Sequence, residues 1–148
     1  MRRIGFYFTE ILAGGFVYCL IELLFRGYTH ESMFVLGGVC FLSIGMIRRG
    51  LQGAPAAEKM LLSGMMITVL EFFCGLLVNV YLGLAVWDYS TMPLNLMGQV
   101  CMTYSAMWCL LAVPAMGVDM LFCHAWNWGN MEQKKISETS FQTVDSVV

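Results

Sequence analysis

Apolar residues fall in long unbroken runs along this chain, without the period-two alternation of a half-buried strand. The first run, residues 4–25, rises about 33 Å as a helix and matches a hydrocarbon core of about 30 Å. Arg2 and Arg3 before it look like the start of a signal peptide. Glu10 and Glu22 interrupt the run and no small-residue cleavage site follows, so it is read as a retained span. The second run, 33–47, is short for a crossing, but with Thr29 as N-cap a helix over 30–48 is nearly long enough. Gly37, Gly38 and Gly45 weaken it, and a re-entrant segment is the competing reading. Arginines, glycines, Pro55 and the Glu58-Lys59 pair make 48–59 a loop. A third span covers 60–84. Residues 87–93 then combine interface aromatics, hydroxyls and a proline suited to a first helical turn, which marks a turn at a membrane surface. A fourth span covers 94–115, with Pro114 as a kink and an interfacial extension to 126 anchored by Trp126 and Trp128. The predicted fold class is all-α, a polytopic transmembrane bundle of four helices within residues 1–128, followed by a flexible polar tail over 129–148.

Composition agrees. Of 148 residues 59% are hydrophobic and 12% charged, about half the charged share of a soluble domain, which excludes an ordinary water-soluble globule. The lipid bilayer is the expected solvent. With a net charge of −2 and eight Lys+Arg, the chain lacks the basic surface that nucleic-acid binding needs. Four crossings place Arg2, Arg3, Arg48, Arg49, Lys59, Lys134 and Lys135 on one side and Arg26 on the other, which predicts both termini in the cytoplasm. The six cysteines sit in apolar runs without C-x-x-C pairs or histidines at zinc spacing, so they read as packing residues, and no metal or cofactor is expected.

Polar residues inside the spans carry the remaining information. Gly64, Thr68, Glu71, Gly75, Asn79 and Gly83 recur at spacings of three or four and share one helical stripe. An acid at a helix centre costs about 2.5–3.5 kcal/mol on insertion, so Glu71 should face protein or trapped water. One reading makes the stripe a packing face, its glycines allowing close approach and its polar groups bonding a neighbouring helix. The other makes Glu71 a proton or cation site in a pathway.

Glu22 and Arg26 stand at i and i+4, a spacing for an ion pair near the outer end, with Gly15 and Tyr18 on the same face. Glu10 has no basic residue at i+4 and either reaches water through the bundle or pairs with the cytoplasmic arginines. Asn95 and Gln99, one turn apart on the fourth helix, add amides to the outer half. With Asn79, Asp88, Glu22, Arg26 and His30 they outline a polar vestibule, although packing and loop capping would account for each separately. His30 and His124 read as interfacial residues, Trp108 as lipid-facing or packed, and the methionines as flexible apolar filler.

Arg26-Gly27-Tyr28-Thr29-His30, Gly37-Gly38-Val39-Cys40-Phe41, Leu70-Glu71-Phe72 and Val78-Asn79 lead to two close signatures. These are Trp87-Asp88-Tyr89-Ser90 and Pro93-x-Asn95-x-x-Gly98-Gln99. Over about residues 22–108 the chain resembles the type IV, CmpB-like family of ABC-transporter permeases, small bacterial membrane proteins. The resemblance implies a multi-pass protein of the bacterial inner membrane. It also implies a separate ATPase subunit, since the chain has no G-x-x-x-x-G-K-[ST] phosphate loop. The expected function is a transporter or permease-like component, not an enzyme, with Glu71, Glu22, Arg26, Asn79, Asp88, Asn95 and Gln99 as pathway candidates. Gly64, Thr68, Gly75 and Gly83 are the packing candidates. The alternative is a noncatalytic scaffold or regulatory subunit. A bundle this small is expected to form a homodimer or to join another membrane subunit.

Overall fold

The structure, a computed structural model, describes the backbone of residues 2–145 and the surroundings of residues 4–127 and 129. Helices α1 (Arg2–Arg26), α2 (Glu31–Gly50), α3 (Ala56–Gly75) and α4 (Met102–Asp145) follow in order, with α3 prolonged by a π-helical stretch, Leu76–Tyr81. Residues 82–101, the connector, contain a short antiparallel ladder of β1 (Asn95–Leu96) and β2 (Val100–Cys101), with Asn95 opposite Cys101. Four stretches, Ile4–Arg26, Glu31–Gly50, Ala56–Tyr81 and Met102–Asn127, are long and apolar enough to cross a membrane. Side chains such as Phe16, Leu24, Phe25 and Phe73 point outward, as lipid solvation requires. The buried apolar core is small, centred on Cys40, Ile44 and Ile67 with Leu70, Trp108 and Met116 against it.

The second helix is long enough for a full span, since 20 helical residues rise about 30 Å. Its glycines do not weaken it here. Gly37 lies under the Tyr18 ring and Gly38 against the backbone of Ile11, while Gly14 and Gly15 of α1 receive Phe41 and Phe34 in return. A Cβ at any of the four would collide, so the helices approach as closely as small residues permit. The N-cap is His30 rather than Thr29, with the Ser32 amide donating to His30 Nδ1 at 3.2 Å.

The structure corrects three boundaries. The third span stops at Tyr81 instead of running to residue 84, and the chain turns at Gly83 with φ +66°. The fourth helix begins at Met102 rather than Leu94, so Asn95 and Gln99 do not lie one helical turn apart. Ala85, Leu94 and Met97 all take positive φ, which a right-handed helix cannot pass through, and Pro93 restricts the residue before it. Pro114, read as a kink, lies inside α4, where its ring removes one backbone donor. The helical backbone also continues past Gly129 to Asp145 through strong helix formers at 131–135, where a tail was expected. Residues 146–148 and the surroundings of Arg2, Arg3, Trp128, Lys134 and Lys135 lie outside what is described.

Candidate functional site: an intramembrane acid beneath the connector

The polar face of α3 meets the connector and α4. Glu71 is 4% exposed. Its Oε1 accepts from the Tyr89 hydroxyl at 3.1 Å and its Oε2 from Trp108 Nε1 at 2.8 Å. Tyr89 comes from the connector and stacks on Tyr104 of α4, with ring centres 4.6 Å apart. Trp108 also stands beside Tyr18 of α1, at 6.3 Å. Four separate segments of the chain therefore surround one carboxyl group. Burial first, and the neighbouring Glu71 carboxylate second, push the Tyr89 phenol above its ordinary pKa. Tyr89 acts as a hydrogen-bond donor here.

One and two turns further along, Gly75 and Asn79 receive the connector. Gly75 lies against Gln99 and the Trp87 ring, where a Cβ would stand 3.1 Å from Trp87 Cζ2. Asn79 Nδ2 donates to Gln99 Oε1 at 2.9 Å, and Asn79 Oδ1 accepts the Val86 amide at 2.7 Å. Gln99 then donates through Nε2 to the Met97 carbonyl at 2.9 Å, and its own carbonyl accepts from Trp87 Nε1 at 2.9 Å. Asn95 holds the hairpin internally, donating to the carbonyls of Ser90 and Met92 and accepting the Gly98 amide. Asp88 accepts from the Ser90 amide and hydroxyl, closing a turn. The Tyr89 amide donates to the Gly98 carbonyl at 2.8 Å, so the two sequence signatures fold onto each other. Their polar side chains satisfy the backbone of an irregular segment packed against a membrane helix, where water is scarce.

Glu22 and Arg26 form the expected ion pair at 2.9 Å. Arg26 Nη2 also donates to the Tyr28 hydroxyl at 2.8 Å and the Val86 carbonyl at 3.0 Å, and Thr29 donates to Glu22 Oε2 at 2.6 Å. The pair thus ties the end of α1 to the connector.

The candidates for an outer vestibule accordingly occupy separate places. Asn79 and Gln99 meet, Asn95 and Asp88 serve the hairpin, and Glu22 with Arg26 forms its own cluster. Of the packing residues, Gly64 lies against Cys109, Gly75 against Gln99, and the Thr68 hydroxyl donates to the Gly64 carbonyl at 2.9 Å. At Gly83 an added Cβ would meet none of the described residues within 4 Å, and the glycine makes a turn instead of a packing contact.

At the opposite end, α1, α2 and α4 converge on a cluster that includes an acid the sequence did not bring forward. Asp119 and Glu10 are both fully buried. Arg49 donates to Glu10 Oε1 at 2.6 Å and to Asp119 Oδ1 at 2.5 Å, and Arg48 Nε donates to Asp119 Oδ2. Glu10 therefore pairs with an arginine, one of the two outcomes expected for it. Asp119 is a single acid in an apolar run whose partners lie about 70 residues away, and no local spacing announces it. Tyr89 and Trp108 were visible only as aromatics.

Four span-length helices with outward apolar side chains and buried polar clusters between them define a small multi-pass membrane protein. Within that class, the chain belongs to the family described as "Putative ABC-transporter type IV", of the CmpB type, which it matches over residues 7–138. No curated protein and no solved structure matches it.

Proposed function

We propose that this chain is the membrane-embedded subunit of a transport system of the bacterial inner membrane, and that Glu71 takes up and releases a proton or a small cation during its cycle. One observation carries the reading. Among the described residues, the buried acids Glu10, Glu22 and Asp119 each pair with arginine, whereas Glu71 is held by two neutral donors. An intramembrane acid whose neighbours bring no positive charge is completed by a proton or a cation. Tyr89 links that event to the connector. Both termini are cytoplasmic in this reading, following the seven-to-one bias of basic residues. Nucleotide hydrolysis belongs to a separate ATPase subunit, and the chain works as a homodimer or beside another membrane subunit.

The test uses the complex as purified from its own membranes through a tag on this chain, then sealed into vesicles with a trapped pH indicator. Proton or cation movement under an imposed potential is expected for the native chain and lost for Glu71→Gln. Equal movement in both removes Glu71 from the mechanism. A scaffold or regulatory role is the second reading, favoured by one fact: the amides of Asn79, Asn95 and Gln99 are spent on internal bonds. A stable partner subunit recovered with both variants, without any flux difference, supports it.

A further inference from the structure

Between α3 and α4 lies a groove of about 440 Å³, and its shape follows from the connector. The connector fills the outer part of the seam between the two helices, with Gln99 and Trp87 seated on Gly75. The groove is what remains below that level. Its walls are Gly64 and Thr68 of α3 and Ser105, Ala106 and Cys109 of α4, and Leu94 of the connector stands at its outer end. Depth comes from small side chains, since a Cβ at Gly64 would lie 2.8 Å from the Cα of Cys109. Thr68 turns its hydroxyl to its own helix, and among the described residues no charged one lines the space. The rim is apolar and exposed: Met65 is 63% exposed, Met102 60% and Leu94 77%. Further exposed apolar side chains follow on the same two helices, Val69 and Phe73 on α3 and Met107 and Leu110 on α4.

We propose that this groove is a binding site for one acyl chain of a bilayer phospholipid. Water is a poor occupant, because the apolar walls offer it few hydrogen-bond partners. A partner helix, about 10–12 Å wide with its side chains, would have to stop short of Gly75, where Gln99 and Trp87 occupy the seam. A flexible hydrocarbon chain can lie along the walls and end beneath Leu94. The volume falls within the range of about 300–1,000 Å³ typical of small-molecule sites. The exposed apolar side chains of the rim and of the same two helices supply the entry route. The site holds a lipid longer than the surrounding annulus does, and it depends on membrane residence alone, not on the role of Glu71.

The test reconstitutes the full chain in vesicles of phosphatidylethanolamine and phosphatidylglycerol containing a trace of phosphatidylethanolamine with a photoreactive acyl chain. The vesicles are diluted into unlabelled lipid before illumination. Label is expected to persist on peptides covering 64–69 and 102–109. Ala106→Phe and Met65→Trp, both at exposed positions that fill the groove, should lower it about tenfold, which corresponds to about 1.4 kcal/mol of preference. Val118→Phe, exposed on α4 away from the groove, should leave it unchanged. Label spread evenly over all apolar faces, or unaltered by the two filling variants, overturns the proposal. So does cross-linking of the groove peptides to a second copy of the chain, which would make the seam a dimer interface.

Discussion

The Tyr89 hydroxyl donates to Glu71 Oε1 at 3.1 Å, which fastens the connector to α3 across 18 residues of sequence. The bond makes a loop residue and an intramembrane acid parts of one unit. Displacement of the connector leaves Glu71 with one donor, and a change of charge on Glu71 alters the reason for Tyr89 to stay. The other two polar clusters behave differently. Arg26 with Glu22, and Arg48 and Arg49 with Glu10 and Asp119, pair opposite charges and hold helix ends together. The donor set around Glu71 is the neutral one of the three.

That difference predicts how substitutions at position 71 separate. Glu71→Gln keeps an oxygen for Trp108 Nε1, which can only donate, and offers its NH2 to the Tyr89 oxygen, which can also accept. Its thermal unfolding in detergent should stay within a few degrees of the native chain. Glu71→Leu strands both donors and should cost about 1–3 kcal/mol. Equal melting of the two variants would show that neither hydrogen bond contributes.

Tyr89 predicts an alkaline weakness. Burial and Glu71 raise its pKa in the folded chain above the ordinary value near 10, which the unfolded chain retains. Below that value both states hold the proton and the contribution is complete. As the pH rises past about 10, the unfolded chain releases the proton while the folded chain keeps it, so stability falls. Tyr89→Phe should make that decline shallower while losing about 1 kcal/mol at neutral pH from the missing bond. Unfolding midpoints measured across the alkaline range check both signs.

The spans were legible because lipid demands apolar runs of fixed length, and the Glu22–Arg26 pair because one helical turn sets its geometry. Glu71, Asn79 and Gly75 shared a face for the same reason, and the structure uses that face for the connector. Only the middle of the connector, residues 87–93, was legible as a turn; its flanks were not. Leu82, Leu84, Leu94, Leu96 and Met97 read like more helix, and positive φ at Ala85, Leu94 and Met97 leaves no mark in composition. Asp119 was hidden for a different reason: charge pairing between helices depends on tertiary register, which local spacing does not encode.

Asn79 predicts where the connector comes loose. Its amide bonds both Gln99 and the Val86 amide, so α3 holds the start of the connector and its end through one side chain. Asn79→Leu keeps the volume of a half-buried residue and removes both bonds. Hydrogen exchange in lipid nanodiscs should then accelerate across residues 84–99, most at Val86, while α1 and α2 keep native protection. Protection unchanged at Val86 would mean that packing of Trp87 on Gly75 holds the segment without Asn79.

Gly45 predicts the reverse of the usual helix rule. Replacing an interior helical glycine with alanine normally stabilises by about 1 kcal/mol. At Gly45, however, an added Cβ would lie 2.6 Å from Asp119 Oδ1 and 2.8 Å from both Arg49 Nη1 and Glu10 Oε1. Three charged groups from α1, α2 and α4 meet over this missing side chain, and separating a buried pair costs about 3–5 kcal/mol. Gly45→Ala should therefore destabilise despite its better helix propensity. Gly117→Ala, with nothing within 4 Å of the new methyl, should follow the ordinary rule and stabilise. Thermal melts of the two single variants decide the matter, because propensity moves both in the same direction and the charge cluster moves only the first. If Gly45→Ala melts no lower than the native chain, Glu10, Arg49 and Asp119 have room to rearrange and do not lock that end of the bundle.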